Sequence, residues 1–272
     1  NLACKFCQNW DISKSREFDT LADQASPEAI AQAAKKARCS SVAFTYNDPV
    51  IFHEYAVDVA QACREVGIKA VAVTAGYVCP DPRVEFYRHM DAANIDLKAF
   101  TDEFYNKITL SDLSTVLETL VYLKHQTDVW FEITNLLIPG LNDSDAELNE
   151  MTSWVVKELG ADVPMHFTAF HPDYKMMDTS PTSPLTLTRA REIARNNGVR
   201  YAYTGNVHDE TGGSTYCHEC GGRLIGRDWY ELTSWELDEA GACTNCGTVC
   251  PGVFEVLPGT WGAKRAPLRI AS

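Results

Sequence analysis

Apolar runs and amphipathic helical stretches alternate along most of this chain, and that alternation limits its fold more than any other feature. SSVAFTY (40–46), KAVAVTA (69–75), NIDLKAF (94–100), VWFEITNLLIP (129–139), VPMHFTAF (163–170) and VRYAYTG (199–205) read as buried strands. Helical stretches fall between them. One starts at Ser26 as N-cap with Pro27 at N1, and one covers 50–66 and stops at Gly67. The others are DPRVEFYRHMDAA, residues 111–126, DSDAELNEMTSWVVKELG and residues 186–197. Strands separated by helices form parallel βαβ units with right-handed crossovers. Polar residues gather where the strands end, at 45–48, 74–77, 96–98, 134–135 and 170–171. Parallel α/β folds build their sites at those ends, so a shared pocket is expected there.

Composition excludes several classes. The 272 residues are 45% hydrophobic and 22% charged, which is too apolar for a disordered chain and suits an α/β domain with at most a small extra module. The net charge of −13, from 24 Lys+Arg against 37 Asp+Glu, argues against a nucleic-acid or anionic-membrane surface. No apolar run approaches the length of roughly 18 residues that a membrane span requires. No signal peptide is read at the start, and the expectation is a cytoplasmic protein.

The 10 cysteines are arranged for metal rather than for disulfides, because they pair two residues apart instead of spreading over loops. Cys4 and Cys7 form a C-x2-C pair that a metal, an iron–sulfur cluster or a thioredoxin-like redox pair could equally use. Cys217-His218-Glu219-Cys220-Gly221 and Cys243-Thr244-Asn245-Cys246-Gly247 are two C-x2-C-G knuckles, a strong signal for a tetrahedral four-cysteine site. Zinc is the usual occupant, and rubredoxin-type iron shares the spacing. The intervening LIGRDWYELTSWEL alternates like a strand pair, as in a zinc ribbon. Glu219, Asp228, Glu231, Glu236, Asp238 and Glu239 favour a stabilising or substrate-docking role for it over nucleic-acid binding. Cys250 is read as a spectator, and Cys39, Cys63 and Cys79 as buried free thiols, with Cys79 near the pocket mouth. The polar stretch 208–216 reads as a linker.

NLACKFCQNW (1–10), FTYNDPVIF, TAGYV, IDLKAF, TNLLIPGLND and FHPDYKM follow one another in an order and spacing that resemble the radical SAM superfamily, in its pyruvate formate-lyase-activating-enzyme type. Within that type the chain is similar to the radical SAM member of the AmmeMemoRadiSam system. The resemblance implies a [4Fe–4S] cluster with three cysteine ligands and one open iron, chelated by the amine and carboxylate of S-adenosylmethionine (SAM). Cleavage of the sulfonium then gives methionine and a 5′-deoxyadenosyl radical. Cys4 and Cys7 correspond to the second and third ligands. The first would precede Asn1, so the expectation is a trimmed chain whose first strand is missing. Phe6 corresponds to an aromatic packed near the adenine. Tyr46-Asn47-Asp48-Pro49 stands where many members carry Gly-Gly-Glu-Pro, which meets the SAM amino group. Thr74 would contact the methionyl carboxylate or ribose, Lys98 would neutralise that carboxylate while Asp96 orients it or the ribose, and Asn135 and His171 would reach ribose and adenine.

The expected architecture is a partial (β/α)6 barrel over 1–206, followed by a zinc-ribbon or rubredoxin-like Cys4 module at 215–262. Three functions are compatible with it. One is a radical SAM enzyme abstracting hydrogen from a protein or peptide, as glycyl-radical activases do, with an electron donor such as flavodoxin or ferredoxin. Another acts on a small molecule. The third is a non-catalytic iron–sulfur and zinc-binding protein. No nucleic-acid or membrane partner is expected.

Overall fold

The structure, a computed structural model, describes residues 1–13, 24–268 and 270. The chain packs as two compact units. One comprises Asn1–Glu132, Pro172–Thr179 and Pro267–Ser272, and the other Ile133–His171 and Ser180–Ala266.

In the first unit, β1 (Ser41–Phe44), β2 (Lys69–Thr74) and β3 (Ala92–Asp96) pair in parallel and in chain order. Phe44 lies opposite Ala72, and Thr74 opposite Ile95, so the strands finish together at one edge. The helices are α1 (Pro27–Lys36), α2 (His53–Glu65), α3 (Pro80–Tyr87) and α4 (Leu113–Gln126). Ser26 caps α1 by accepting from the Ala29 N–H, with Pro27 at N1 as expected. Asp112 caps α4 in the same way, accepting from the Thr115 N–H at 2.9 Å. Ala72, Phe86, Tyr87, Ile95, Val116 and Leu120 are fully buried between sheet and helices.

Helix α3 ends at Tyr87, earlier than its sequence pattern suggests, and β3 begins at Ala92. Asp91 decides this. Its N–H donates to Ala70 O, and its carboxylate accepts from the Ala70 N–H at 2.8 Å, so the following alanines join the sheet rather than extend the helix. Strand β3 stops at Asp96, leaving Lys98 just beyond the strand end instead of within it.

In the second unit, β4 (Trp130–Leu137, of which Ile133–Leu137 belong here), β5 (Met165–Ala169) and β6 (Ala202–Gly205) are again parallel and in chain order, with α5 (Asp145–Leu159) and α6 (Pro184–Asn196) as crossovers. Residues 208–216 are not a linker. Asp209 accepts from the Gly212 N–H and starts a one-turn helix, Glu210–Gly213, which leads into β7 (Thr215–Tyr216). Gly212 is required because a Cβ there would have no room beside Thr204 and Asp209. An antiparallel sheet of β7, β8 (Arg223–Asp228) and β9 (Glu231–Trp235) follows, as the strand-like alternation predicts. No helix among the described residues is long and apolar enough to cross a membrane.

Gly76 follows β2 with a φ of +66°, and a Cβ on it would sit 2.9 Å from Ile95 Cγ2. Gly76→Ala is expected to cost about 1–3 kcal/mol through backbone strain and overpacking. Urea denaturation should show a lower midpoint, and an unchanged midpoint would mean that the turn relaxes freely.

Candidate active site

The segment carrying Cys4 and Cys7 is held by its backbone. The Ala3 and Lys5 N–H groups donate to Thr109 O and Ile108 O, each at 3.0 Å, and the Lys5 carbonyl accepts from the Lys175 N–H at 3.1 Å. The acceptors at 108 and 109 belong to a π-helical turn, Tyr105–Thr109, closed by Leu110 in the left-handed region at φ +56°. Such turns are rare, and they recur at functional positions. Trp10 stacks on Tyr174 with ring centroids 5.7 Å apart, and its indole N–H donates to Asp173 Oδ1. Cys4 is buried and Cys7 half-buried, with Cys7 Sγ 3.4 Å from Ser13 Oγ. Phe6 is buried against Phe104, and the Lys98 ammonium stands 6.0 Å above its ring.

Lys98 and Asp96 form the electrostatic centre of this unit. Side chains two residues apart face the same way, and here Nζ lies 2.6 Å from Asp96 Oδ2 with little solvent access. Burial works against the ammonium, but the adjacent carboxylate outweighs it, and the Cys4 thiol adds to the effect. Lys98 therefore holds its proton more tightly than an ordinary lysine. The buried Tyr105 hydroxyl accepts from the Lys98 backbone N–H at 3.1 Å. One π-turn thus grips both the cysteine loop and the second residue after β3. Sequence reasoning missed Tyr105, because an irregular turn carries no periodic signal.

At the ends of β1 and β2, the Tyr46-Asn47-Asp48 stretch shows two behaviours. Tyr46 is exposed with φ at +70°, a conformation suited to the glycine that many relatives are expected to carry there. Asn47 Oδ1 is buried without a hydrogen-bond partner among the described residues. Asp48 is occupied by its own chain. Its Oδ1 accepts from Thr74 Oγ1 at 2.9 Å and the Val50 N–H at 3.1 Å, and Oδ2 accepts from the Ala75 N–H at 2.9 Å. Thr74 is buried, and its hydroxyl also accepts from the Gly76 N–H. Asp48 and Thr74 therefore staple the end of β1 to the end of β2, and Asp48 also serves as a cap for the turn that begins at Pro49.

Asn135 and His171 belong to the second unit. Asn135 is buried within β4 rather than at its end, and His171 is exposed after β5. Cys63 is buried, and burial pushes its thiol up; Cys39 is half-buried. Cys79 is exposed as the residue before α3, which corrects the expectation of a buried thiol.

The C-terminal cysteines assemble as expected. The Sγ atoms of Cys217, Cys220, Cys243 and Cys246 all lie within 4.8 Å of one another. Cys217–Cys246 and Cys220–Cys243 are separated by 3.6 and 3.8 Å. A tetrahedral ion with metal–sulfur bonds of 2.3 Å needs edges of about 3.8 Å, whereas a disulfide needs about 2.05 Å. The site fits a metal. Asn245 and the Gly222 N–H hold the Cys220 thiol down to about 6, so it is a thiolate at neutral pH. Burial pushes Cys217 up to about 11, so a metal that binds it must displace its proton to solvent. Cys250 lies apart from the four, buried in the small core formed with Tyr201, Leu224, Ile225 and Leu237. The six acidic residues named above are all exposed.

Residues 1–151 match the family described as the radical SAM superfamily. An uncharacterized protein of Methanocaldococcus jannaschii is 38% identical over 91% of this chain and 73% of its own length. The 4-hydroxyphenylacetate decarboxylase activating enzyme of Clostridioides difficile is 22% identical over 75% of this chain and 70% of its own. Among solved structures, a domain of a pyruvate-formate lyase-activating enzyme from Bacteroides vulgatus superimposes with a TM-score of 0.54 at 17% identity. It covers 61% of this chain and 99% of that domain, a likeness of fold.

Two measurements test the local assignments. Tyr105→Phe removes the acceptor of the Lys98 N–H and should cost about 1–3 kcal/mol in chemical denaturation. An unchanged midpoint would show that the N–H finds another acceptor. Cys217→Ser should empty the C-terminal site and destabilise its sheet while leaving iron uptake by the N-terminal loop intact. Elemental analysis showing one tightly bound zinc or iron outside the cluster in the parent, and none in the variant, is the expected result. For the parent, metal affinity should rise with pH, because binding displaces the Cys217 proton.

Proposed function

The chain belongs to the radical SAM superfamily, and from that premise we propose that it is an activating-enzyme-like member that draws a hydrogen atom from a protein or peptide partner. It is an enzyme resembling the pyruvate formate-lyase activases. Support for a polypeptide substrate comes from the relative whose name describes activation of a decarboxylase. When bound, the [4Fe–4S] cluster supplies the electron that splits the sulfonium of SAM. Cys4 and Cys7 are the thiols this chain brings to that cluster.

The residues around the Cys4 loop fit such a pair of cofactors. Asn47 Oδ1 is a buried acceptor with no partner among the described residues, and Cys4 is near enough to Lys98 for its charge to act on the ammonium. The observation that carries the reading is the half-buried Asp96–Lys98 pair beside this loop. Lys98 Nζ receives the methionyl carboxylate, and because Asp96 secures its proton it stays cationic over the whole working pH range. Asp96 orients that ammonium or a ribose hydroxyl. Phe6 offers an apolar wall to the adenine. Tyr46 and Asn47 present the backbone and amide that meet the methionyl amine, while Asp48 and Thr74 act as positioning residues through each other. We assign zinc to the site formed by Cys217, Cys220, Cys243 and Cys246, and residues 215–262 to a module distinct from the α/β region 1–206. A flavodoxin- or ferredoxin-like reductant serves a cytoplasmic enzyme of this kind.

Anaerobically reconstituted protein given dithionite and SAM should produce 5′-deoxyadenosine. If it produces none, only a metal-binding role is left. Lys98→Ala should weaken SAM binding by about 1.5–3 kcal/mol, the range for a charge-assisted hydrogen bond, with the iron content unchanged. Isothermal titration giving equal SAM affinities for the two proteins would remove Lys98 and this strand end from the binding site.

A further inference from the structure

A cavity of about 500 Å³ lies in the second unit, walled by the C-terminal half of α6, the entry to β6 and the first cysteine knuckle. Its lining includes none of the strand-end residues discussed above. It does include three arginines, Arg191, Arg195 and Arg200, on a chain whose net charge is −13. Arg200 is satisfied by Asp162, with a guanidinium nitrogen 2.9 Å from Oδ1. His218 is likewise engaged, its Nδ1 lying 2.9 Å from the Tyr201 hydroxyl.

Arg191 and Arg195 are different. They stand one helical turn apart on α6, so their side chains share a face. Arg191 Nε donates to Ala202 O at 2.8 Å, which anchors the base of its guanidinium, and the group lies 6.0 Å over the Tyr216 ring. Neither arginine forms an ion pair among the described residues, although the chain holds more carboxylates than cations. Burial and then the charge of Arg195 push the Arg191 guanidinium down from its usual range, against smaller opposing effects of Tyr216 and Asp209. Like charges at this spacing cost a helix about 0.2–0.5 kcal/mol, so the arrangement is unfavourable until something neutralises it. Two planar guanidinium forks side by side match the paired oxygens of phosphate or carboxylate. The cavity volume falls in the range of small-ligand sites.

We propose that this cavity is an oxyanion site, in which Arg191 and Arg195 together bind the phosphate or carboxylate group of a small ligand. Arg191, fixed by Ala202 O, sets the orientation, and the exposed Arg195 closes over the anion. The site does not depend on the cluster or on SAM, and it is tested without either.

Isothermal titration of the full chain, with its C-terminal metal in place and at constant ionic strength, uses inorganic phosphate in one arm and succinate in the other. Saturable binding of either is expected, and the stronger arm identifies the source of the oxyanion. Arg195→Gln should weaken it at least about tenfold, as should Arg191→Gln. Arg223→Gln, which removes an exposed arginine paired with Glu210, should leave it unchanged. Arg195 is exposed and makes no side-chain hydrogen bond among the described residues, so its variant reads the site even if Arg191→Gln fails to fold. No saturable heat from either anion, or equal binding by the parent and Arg195→Gln, overturns the proposal. Loss of the C-terminal metal from Arg195→Gln, with no anion binding in the parent, also overturns it and makes the pair a counter-charge for the thiolates.

Discussion

Parallel pairing is the constraint from which the first unit's chemistry follows. With β1, β2 and β3 in register, Phe44, Thr74 and Asp96 finish their strands at one edge, and the connections leaving that edge must satisfy their own polar groups. Asp48 answers this for two strands at once by taking hydrogen bonds from Thr74, Ala75 and Val50. A carboxylate that meets three donors locks the turn geometry around it. The neighbouring Asn47 differs, because its buried Oδ1 meets no such donor among the described residues.

Lys98 shows the other side of the same constraint. An ammonium taken out of water is costly unless paired, and Asp96 is placed to pair with it only because the two follow each other along one face. The pair is not isolated. Tyr105 ties the Lys98 backbone to a π-turn whose carbonyls carry the cysteine loop, so displacement of the loop, the turn or the strand end disturbs the others.

Much of this was legible from the chain, and the remainder was hidden for identifiable reasons. The strands and helices announce themselves through periodicity, and Asp96 and Lys98 through two charges within an apolar run. The four C-terminal thiols are legible because each knuckle is local. Tyr105 is hidden because a π-turn has no repeating pattern. The support that Asp173 and Tyr174 give Trp10 is hidden because it joins residues far apart in sequence. The 208–216 stretch misled because Gly212-Gly213 suggests slack, whereas Gly212 is there for close approach to Thr204. Asp48 and Thr74 were correctly picked out as strand-end residues, but only the structure reveals how fully their atoms are spent on each other.

The C-terminal module follows a different logic, set by its size. Its buried cluster contains Leu224, Ile225 and Leu237 together with three cysteines and Tyr201, with Tyr203, Trp235 and Phe254 packed around it. So few aliphatic side chains supply little burial against the entropy of ordering three short strands and two knuckles. Metal coordination is the usual remedy in domains of this size, and the thiols are prepared unevenly for it. Cys220 is already ionised at neutral pH, whereas burial keeps Cys217 protonated, so the ligands differ in their readiness. Folding of the module and metal capture are then one event, which is why its order depends on a group of four sulfurs more than on its hydrophobic content.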